Sequence, residues 1–253
     1  MTASIGTDNA WVRRFHQAPA DAPRLICLPF AGGSASYFFP VSRRLAPTVE
    51  VLAIQYPGRQ DRRAEAPIDA VPEYVDRLLD ALGGWTGVPF ALFGHSLGAT
   101  LAFEVARRLE ARGVHPLGLF ASGRRAPSRH RDEYVHLGSE QEFRSELREL
   151  DGGAASVLDD EEMMRAALPS LRADYRAAET YRYEPGPRLE CPIVAFTGDD
   201  DPKATVDEVR SWGEHTSAAF DCRVYPGGHF FLNAHAPAVL DEVAAHMAQW
   251  ARS

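Results

Sequence analysis

Three side chains in this sequence, a serine, an aspartate and a histidine, could together carry out acyl transfer through a covalent intermediate. Ser96 stands at the centre of Gly94-His95-Ser96-Leu97-Gly98, a G-x-S-x-G pattern that joins an apolar run to a helical one. A serine hydroxyl is a weak nucleophile at neutral pH, so it needs a base within hydrogen-bond reach and an acid that orients this base. The chain order serine, acid, histidine selects Ser96, Asp201 and His229.

The base and the acid each have competitors in the sequence. His229 follows a late strand-like run in a glycine loop, and His235 is the second candidate for the base. Asp199 and Asp200 compete with Asp201 for the role of the acid. Asp201 is preferred because the proline that follows it restricts its backbone, whereas the other two carboxylates are placed to hydrogen-bond within a turn.

Two backbone N–H groups are candidates for holding the oxyanion of the tetrahedral intermediate. Leu97 begins the helical run after the serine, where free N–H groups and the positive end of the helix dipole face the same point. Ala31 directly follows the apolar run 24–30 and precedes Gly32-Gly33, a loop that leaves backbone N–H groups uncovered. Because serine hydrolases take one donor from such a loop and one from the residue after the nucleophile, we assign both.

Alternating strand and helix patterns must position these groups. Strands are predicted at 11–15, 24–30, 49–56, 89–93, 116–121, 191–198 and 220–225. Helices are predicted up to residue 45 and at 71–82, 140–150, 160–183, 205–215 and 237–251. A further helix is predicted directly after Ser96, with apolar positions from Leu101 to Leu109. This alternation predicts an α/β fold with a doubly wound, mostly parallel sheet, and the carboxyl ends of its strands bring the site residues to one edge.

The alternation is interrupted between residues 128 and 187. This stretch contains two consecutive helical patterns, separated by Asp151-Gly152-Gly153, and no strand pattern. A helical insertion at the active edge of an α/β sheet is most simply a lid, and the alternative is extra packing helices without a gating role. We therefore divide the chain into a core of residues 1–127 and 188–253 and a helical lid of residues 128–187.

Composition limits the class of protein and its partners. The 253 residues are 45% hydrophobic and 25% charged, and the net charge of −8 gives no reason to expect nucleic acid as a partner. Met1 to Ala10 resembles no signal peptide, and no run of about eighteen apolar residues occurs, so we expect a cytoplasmic protein that does not enter membranes. We also expect a monomer. The three cysteines have no metal-binding spacing, so no metal site is predicted.

Six motifs in order resemble those of the type II thioesterases, α/β-hydrolases that accompany modular polyketide synthases and nonribosomal peptide synthetases. The resemblance runs from about Trp11 to Trp250. The motifs are Leu28-Pro29-Phe30-Ala31-Gly32-Gly33-Ser34, Tyr56-Pro57-Gly58-Arg59, Gly94-His95-Ser96-Leu97-Gly98, Ser122-Gly123-Arg124-Arg125-Ala126-Pro127, Gly198-Asp199-Asp200-Asp201-Pro202 and Gly227-Gly228-His229-Phe230-Phe231.

The resemblance implies an α/β-hydrolase fold with a lid, and hydrolysis of aberrant or stalled acyl groups from the phosphopantetheine arm of acyl or peptidyl carrier proteins. Such an acyl-enzyme mechanism needs neither a metal nor an organic cofactor. A second interpretation is a carboxylesterase or lipase that uses the same three residues on small oxygen esters. A non-catalytic binding protein is disfavoured, because it need not retain the three residues and both oxyanion loops.

Arginines follow two of the predicted strands and could form a basic rim around the active edge. Arg59 and Arg63 lie after one strand, and Arg124 and Arg125 lie after another. Carrier proteins are acidic and their arm bears a phosphate, which arginine binds by bidentate hydrogen bonds. We therefore predict that these four residues dock the carrier. The alternative is that loop arginines pair with neighbouring carboxylates and contribute little.

Overall fold

A seven-stranded sheet runs through the protein. This computed structural model describes residues 9–150 and 160–252; most of the N-terminal stretch and the predicted break at 151–153 lie outside the described residues. The strands are β1 Val12–Arg13, β2 Arg24–Leu28, β3 Glu50–Ile54, β4 Phe90–His95, β5 Leu119–Ser122, β6 Ile193–Gly198 and β7 Phe220–Tyr225. Their order is β1-β3-β2-β4-β5-β6-β7, with β1 antiparallel to β3 and all other neighbours parallel.

Eight helices were assigned within the described residues. They are α1 Phe39–Leu45, α2 Val71–Leu82, α3 Leu97–Glu110, α4 Glu140–Leu150, α5 Glu161–Thr180, α6 Val206–Arg210, α7 Phe231–Ala234 and α8 Ala236–Trp250. The predicted helix at 205–215 is divided: α6 passes into a 3₁₀ helix, Ser211–His215. Of these described helices, none is long and apolar enough to cross a membrane.

Helices cover both faces of the sheet because the central strands are apolar on both sides. Ile26 and Leu28 of β2 pack in one cluster with α2 and α3, whereas Leu25 and Cys27 pack in a second cluster with α1 and α8. Successive side chains of a strand point to opposite faces, so a continuous apolar run marks a strand that is buried on both. The predicted doubly wound, mostly parallel α/β sheet is confirmed.

The chain between β5 and β6 forms a helical insertion, by which we mean the described residues of 128–187. It contains a 3₁₀ turn, Val135–Leu137, followed by α4 and α5. Its own apolar cluster includes Phe143, Met164, Leu171 and Tyr175. The carboxylate of Asp160 caps α5 by accepting hydrogen bonds from two backbone N–H groups of its first turn. The two helices are thus packed together as a unit, and the lid role stays a prediction.

Candidate active site

The turn from β4 into α3 exposes a serine at the carboxyl edge of the sheet. Ser96 has φ +53° and ψ −116°, which is an unfavourable backbone conformation for a residue with a side chain. A Cβ atom at Gly94 would lie 2.1 Å from the carbonyl oxygen of Gly98, and one at Gly98 would lie 2.1 Å from that of Leu28. Only glycine fits at these two positions, so the G-x-S-x-G spacing is a packing requirement of the turn.

The loops after β6 and β7 bring an aspartate and a histidine together. The Nδ1–H of His229 donates to the Asp201 carboxylate, at 2.9 Å from Oδ2 and 3.0 Å from Oδ1. Both side chains are buried, and Asp201 Oδ1 also accepts the N–H of Lys203 at 2.9 Å. A buried carboxylate in this position fixes the histidine tautomer that leaves Nε2 free to accept a proton.

The competing residues have other partners. Asp199 accepts the backbone N–H of Gly227 at 2.8 Å, and Asp200 is exposed. Nε2 of His235 lies 2.9 Å from the Pro226 carbonyl oxygen. The geometry therefore favours Asp201 and His229 among the alternatives that the sequence left open.

Both predicted oxyanion residues and two of the three catalytic candidates line one cavity of about 70 Å³. Ser96, His229, Ala31 and Leu97 all contribute to its wall. Leu97 is the first residue of α3, and within the described part of the chain the N–H groups of Ala31 and Leu97 have no hydrogen-bond partner. Two such donors beside a nucleophile are suited to stabilising negative charge on an attacked carbonyl oxygen.

The helical insertion contributes part of the cavity wall. Leu147 and Leu150 of α4 and Tyr175 of α5 form apolar parts of the wall, together with Phe30 and Phe230 of the core. Charged residues also reach it: Arg124, Glu133, Glu179 and Lys203. An acyl chain would meet mainly carbon on the side of the insertion.

His95, beside the serine, is a buried neutral neighbour of His229. Its ring centroid lies 5.0 Å from that of His229, and its Nδ1 is hydrogen-bonded to the Ser122 hydroxyl at 3.0 Å. Burial, together with the nearby His229, lowers the pKa of His95 well below its ordinary value. Protonation of this ring is disfavoured, so His95 adds no positive charge beside the base.

The predicted basic rim is wrong for Arg59 and Arg125, which are buried at 8% and 4% exposure. Arg59 forms an ion pair with Asp174 of α5, and Arg125 forms one with Glu133. Arg124 is half-buried and donates to Thr100 Oγ1 and to the Ala178 carbonyl oxygen. These guanidinium groups compensate carboxylate and carbonyl oxygens inside the protein, and those of Arg59 and Arg125 are withdrawn from solvent.

Arg63 is the exposed member of the predicted set of four arginines. Its docking role stays a prediction.

The sequence interpretation missed two sets of polar residues that tie the insertion to the core. Lys203, two residues after Asp201, forms ion pairs with Glu133 and Glu146. Asp174 is fully buried on α5. The role of Asp174 could have been found from the sequence. Asp174 lies on the apolar face of the predicted helix, together with Leu171, Tyr175 and Ala178. A carboxylate on such a face needs a cationic partner.

Among the described residues, no group of three or more His, Cys, Asp or Glu side chains is arranged to hold a metal ion.

A family model described as the thioesterase domain matches residues 23–247. The chain belongs to the thioesterase family. This thioesterase is 51% identical over 239 residues to thioesterase PikA5 of Streptomyces venezuelae, covering 94% of its own chain and 85% of PikA5. It is 40% identical over 231 residues to the gramicidin S biosynthesis protein GrsT of Aneurinibacillus migulanus, covering 90% of each protein.

Solved structures agree with this family. The type II thioesterase BorB from the borrelidin biosynthetic cluster is 52% identical, with a TM-score of 0.91 over 95% of this thioesterase and 99% of BorB. RedJ, a thioesterase of the prodiginine pathway in Streptomyces coelicolor, is 39% identical, with a TM-score of 0.86 over 91% and 93% of the two chains. The resemblance drawn from the six motifs is confirmed, and the protein is a hydrolase that acts on thioesters.

Proposed function

We propose that this thioesterase removes aberrant or stalled acyl groups from the phosphopantetheine arm of acyl or peptidyl carrier proteins in polyketide or nonribosomal peptide biosynthesis. The observation that carries the proposal is the buried pair of Asp201 and His229, whose histidine lines the same cavity as the strained Ser96. The biosynthetic setting comes from the relatives, because the family's type II members act on carrier-bound intermediates.

The reaction proceeds through an acyl-enzyme. His229 accepts the Ser96 proton through Nε2 while Oγ attacks the thioester carbonyl carbon, and the N–H groups of Ala31 and Leu97 hold the oxyanion. The carbon–sulfur bond then breaks, and the departing thiolate takes the proton from His229. A water molecule, deprotonated by His229, attacks the acyl-enzyme, and Ser96 leaves with that proton. Asp201 stabilises the imidazolium that forms in both halves of the reaction.

The small size of the cavity supports a movement of the helical insertion when substrate enters. The cavity of about 70 Å³ is smaller than the roughly 300–1,000 Å³ of typical small-molecule sites, and α4 and α5 form its outer wall. We propose that residues 128–187 act as the lid predicted from the sequence, opening for the acyl arm and closing to exclude bulk water. A cytoplasmic location and a monomeric state are part of the same proposal.

The test uses an acylated carrier protein and intact mass measurement of both proteins. Wild-type enzyme is expected to release the acyl group and to show a transient acyl adduct on Ser96. Ser96→Ala should form no adduct and lose a factor on the order of 10⁴–10⁶ in kcat, because the nucleophile and its base act as one unit.

Two results would contradict the proposal. Undiminished hydrolysis by Ser96→Ala would remove the assigned nucleophile. A higher kcat/KM on an oxygen ester than on the thioester with the same acyl group would favour the carboxylesterase or lipase interpretation instead. Circular dichroism spectra of wild-type and variant enzymes serve as the control for folding.

A further inference from the structure

Asp174, on the helix α5 of the insertion, lies at the centre of a buried polar cluster beside the predicted oxyanion loop. Its side chain is fully buried and accepts four hydrogen bonds. The donors are the backbone N–H of Gly32 at 2.7 Å, Nη1 and Nη2 of Arg59 at 2.7 and 3.0 Å, and the Tyr74 hydroxyl at 2.5 Å. The carboxylate therefore connects α5 to the loop after β2, the loop after β3 and helix α2.

Arg59 stays protonated in this cluster, and so does the Tyr74 hydroxyl. Burial opposes the charge of Arg59, but the adjacent Asp174 carboxylate outweighs it and raises the pKa of Arg59 above its ordinary value. Burial and the same carboxylate raise the pKa of Tyr74 well above its ordinary value, so its hydroxyl stays a donor. A buried ion pair whose remaining hydrogen-bonding sites are satisfied holds its members in one geometry.

The cluster forms hydrogen bonds to a backbone N–H and to a backbone carbonyl in the two residues that follow Ala31. Asp174 accepts the N–H of Gly32, and Arg59 Nη1 donates to the carbonyl oxygen of Gly33 at 3.1 Å. The N–H of Gly33 donates to the carbonyl oxygen of Phe30 at 2.9 Å, which closes the turn around Ala31. The peptide groups before and after Ala31 share one Cα atom. Fixing the Gly32 N–H therefore limits the direction in which the Ala31 N–H points.

Helix α5 packs closely against these loops. A Cβ atom at Gly32, where φ is +77°, would lie 2.4 Å from a methyl carbon of Leu171. The Ser170 hydroxyl donates to the carbonyl oxygen of Gly58 at 2.5 Å, one residue before Arg59. The carboxylate of Asp174 reaches the Gly32 N–H because α5 lies directly on the glycine turn.

We propose that Asp174 is a positioning residue for the oxyanion site: it sets the direction of the Ala31 N–H only while α5 is seated on the core. The inference rests on the proposed function, which assigns that N–H as a donor. Seating of the insertion would then complete the catalytic site as well as cover it. Asp174 acts through the backbone of the loop and touches no reacting atom.

The test compares Asp174→Asn with Asp69→Asn. Asp69 pairs with Arg176 of the same helix at 2.6 Å, but at the surface and away from the glycine turn. Kinetics on a short acyl thioester are measured per active site, titrated with a serine-directed phosphonate. Affinity is also measured for a trifluoromethyl ketone analogue, which forms a tetrahedral oxyanion adduct with the serine and so reports transition-state binding.

For Asp174→Asn we expect kcat to fall by about 10–100-fold, below the roughly 10²–10³-fold loss of a whole oxyanion donor, because the N–H is misdirected and not removed. The affinity for the ketone should fall by the same factor, while KM stays within about twofold. Asp69→Asn should change none of the three. A merely structural role would lower the fraction of active sites but leave kcat per site and ketone affinity as in wild type, and this result would overturn the inference.

A milder pair of variants decides the matter if Asp174→Asn does not fold. Tyr74→Phe removes one neutral donor from Asp174, and Tyr181→Phe removes a similar hydroxyl that donates to Glu104 at 2.6 Å, elsewhere on the insertion. Tyr74→Phe should lower kcat and ketone affinity in parallel by about threefold, the effect of weakening one hydrogen bond in a network. Equal values for Tyr74→Phe and Tyr181→Phe would overturn the inference.

Failure of this inference is distinguishable from failure of the proposed function. If Ser96→Ala is inactive while the Asp174 and Tyr74 variants keep wild-type kcat and ketone affinity, only the positioning role is lost. If Ser96→Ala retains hydrolysis, the assigned oxyanion site itself is lost.

Discussion

Ser96 carries its hydroxyl on a backbone conformation that its neighbours must enforce. Among the described residues, Ser96 and Gln60 are the two non-glycine residues with positive φ, at +53° and +49°. Such conformations cost on the order of 1–3 kcal/mol each, so they persist only where the surrounding structure outweighs that cost. At Ser96 this comes from the contact between α3 and β2, where Gly98 lies against the carbonyl group of Leu28. Packing therefore maintains the position of Ser96, the proposed nucleophile.

Replacing Gly98 by alanine should disrupt this contact. The added Cβ would lie 2.1 Å from the carbonyl oxygen of Leu28, so the strand or the helix must shift. We expect a loss of about 3 kcal/mol or more in the free energy of unfolding, at the upper end of the effects of overpacking. Activity per folded molecule should fall as well. Urea unfolding and thioester hydrolysis measure the two effects.

Gly87→Ala is the matched control, since a Cβ atom there meets no atom within 4 Å. Its free energy of unfolding should stay within about 0.5 kcal/mol of wild type. Equal stability of the two variants would show that the glycine at position 98 is not required by packing.

At the scale of elements, the insertion is joined to the core by ion pairs next to Asp201, the proposed catalytic acid. Lys203 and Arg125 of the core both pair with Glu133 of the insertion. Lys203 also pairs with Glu146 of α4. The backbone N–H of Lys203 donates to Asp201, so one short loop holds the proposed catalytic acid and also attaches the insertion. Conditions that neutralise Glu133 should therefore weaken the attachment of the insertion to the core before they unfold the core.

Glu133 makes this attachment sensitive to acid. Burial opposes its ionisation, but Arg125 and Lys203 outweigh that effect and lower the pKa of Glu133 from 4.5 to about 2. A folded-state pKa below the unfolded value contributes stability above about pH 4.5, and this contribution is lost as the pH falls through about 2. At about 1.4 kcal/mol per pKa unit, the contribution at neutral pH is roughly 3 kcal/mol.

The measurement compares the unfolding free energies of wild type and Glu133→Gln between pH 7 and pH 2.5. The wild type should be more stable at pH 7, and the difference between the two should shrink steadily below about pH 4.5. Glu149→Gln, which changes an exposed carboxylate of α4, is the control. A difference that stays constant with pH would contradict the assigned ionisation.

For the whole molecule, most of the arginines predicted to dock a carrier are engaged within the protein. The net charge is −8, and three of the four arginines predicted to dock a carrier donate to groups within the protein. Arg63 remains exposed after β3, on the edge where the catalytic residues lie. Attraction of an acidic carrier would therefore depend on few residues of this edge and be weakened by salt.

Arg63→Glu tests what is left of the docking prediction. Charge reversal should lower kcat/KM on an acylated carrier protein by about 3–10-fold at low salt, the effect expected for one exposed charge pair, with no change on a short acyl thioester. Arg112→Glu is the control, because Arg112 is exposed after the end of α3, at the opposite edge of the sheet. Equal effects of the two variants, or equal losses on both substrates, would remove the docking role.

The sequence by itself determined the elements and the order of the catalytic candidates. Helices α2 and α4 and strand β7 have the predicted bounds, because periodicity and local capping signals decide where an element begins and ends. The G-x-S-x-G turn was equally predictable from the sequence, since its glycines are required by contacts within one strand–turn–helix unit and with the neighbouring strand. The family, the fold and thioester hydrolysis followed from these local motifs taken in order.

Only the tertiary structure decided which side chains meet. The loop after β6 meets the loop after β7 because the two strands are neighbours in the folded sheet. Within that loop it is Asp201, and not Asp199 or Asp200, that reaches His229. From the sequence, Arg59 is expected to be a solvent-facing loop residue. In the folded protein, α5 places Asp174 beside it, although the two residues are 115 positions apart in the chain. A charge shows its partner in sequence only when the partner is local, whereas burial and pairing depend on which distant segments pack together. That is why the elements were predictable from the sequence and the hydrogen bonds between the insertion and the predicted oxyanion loop were not.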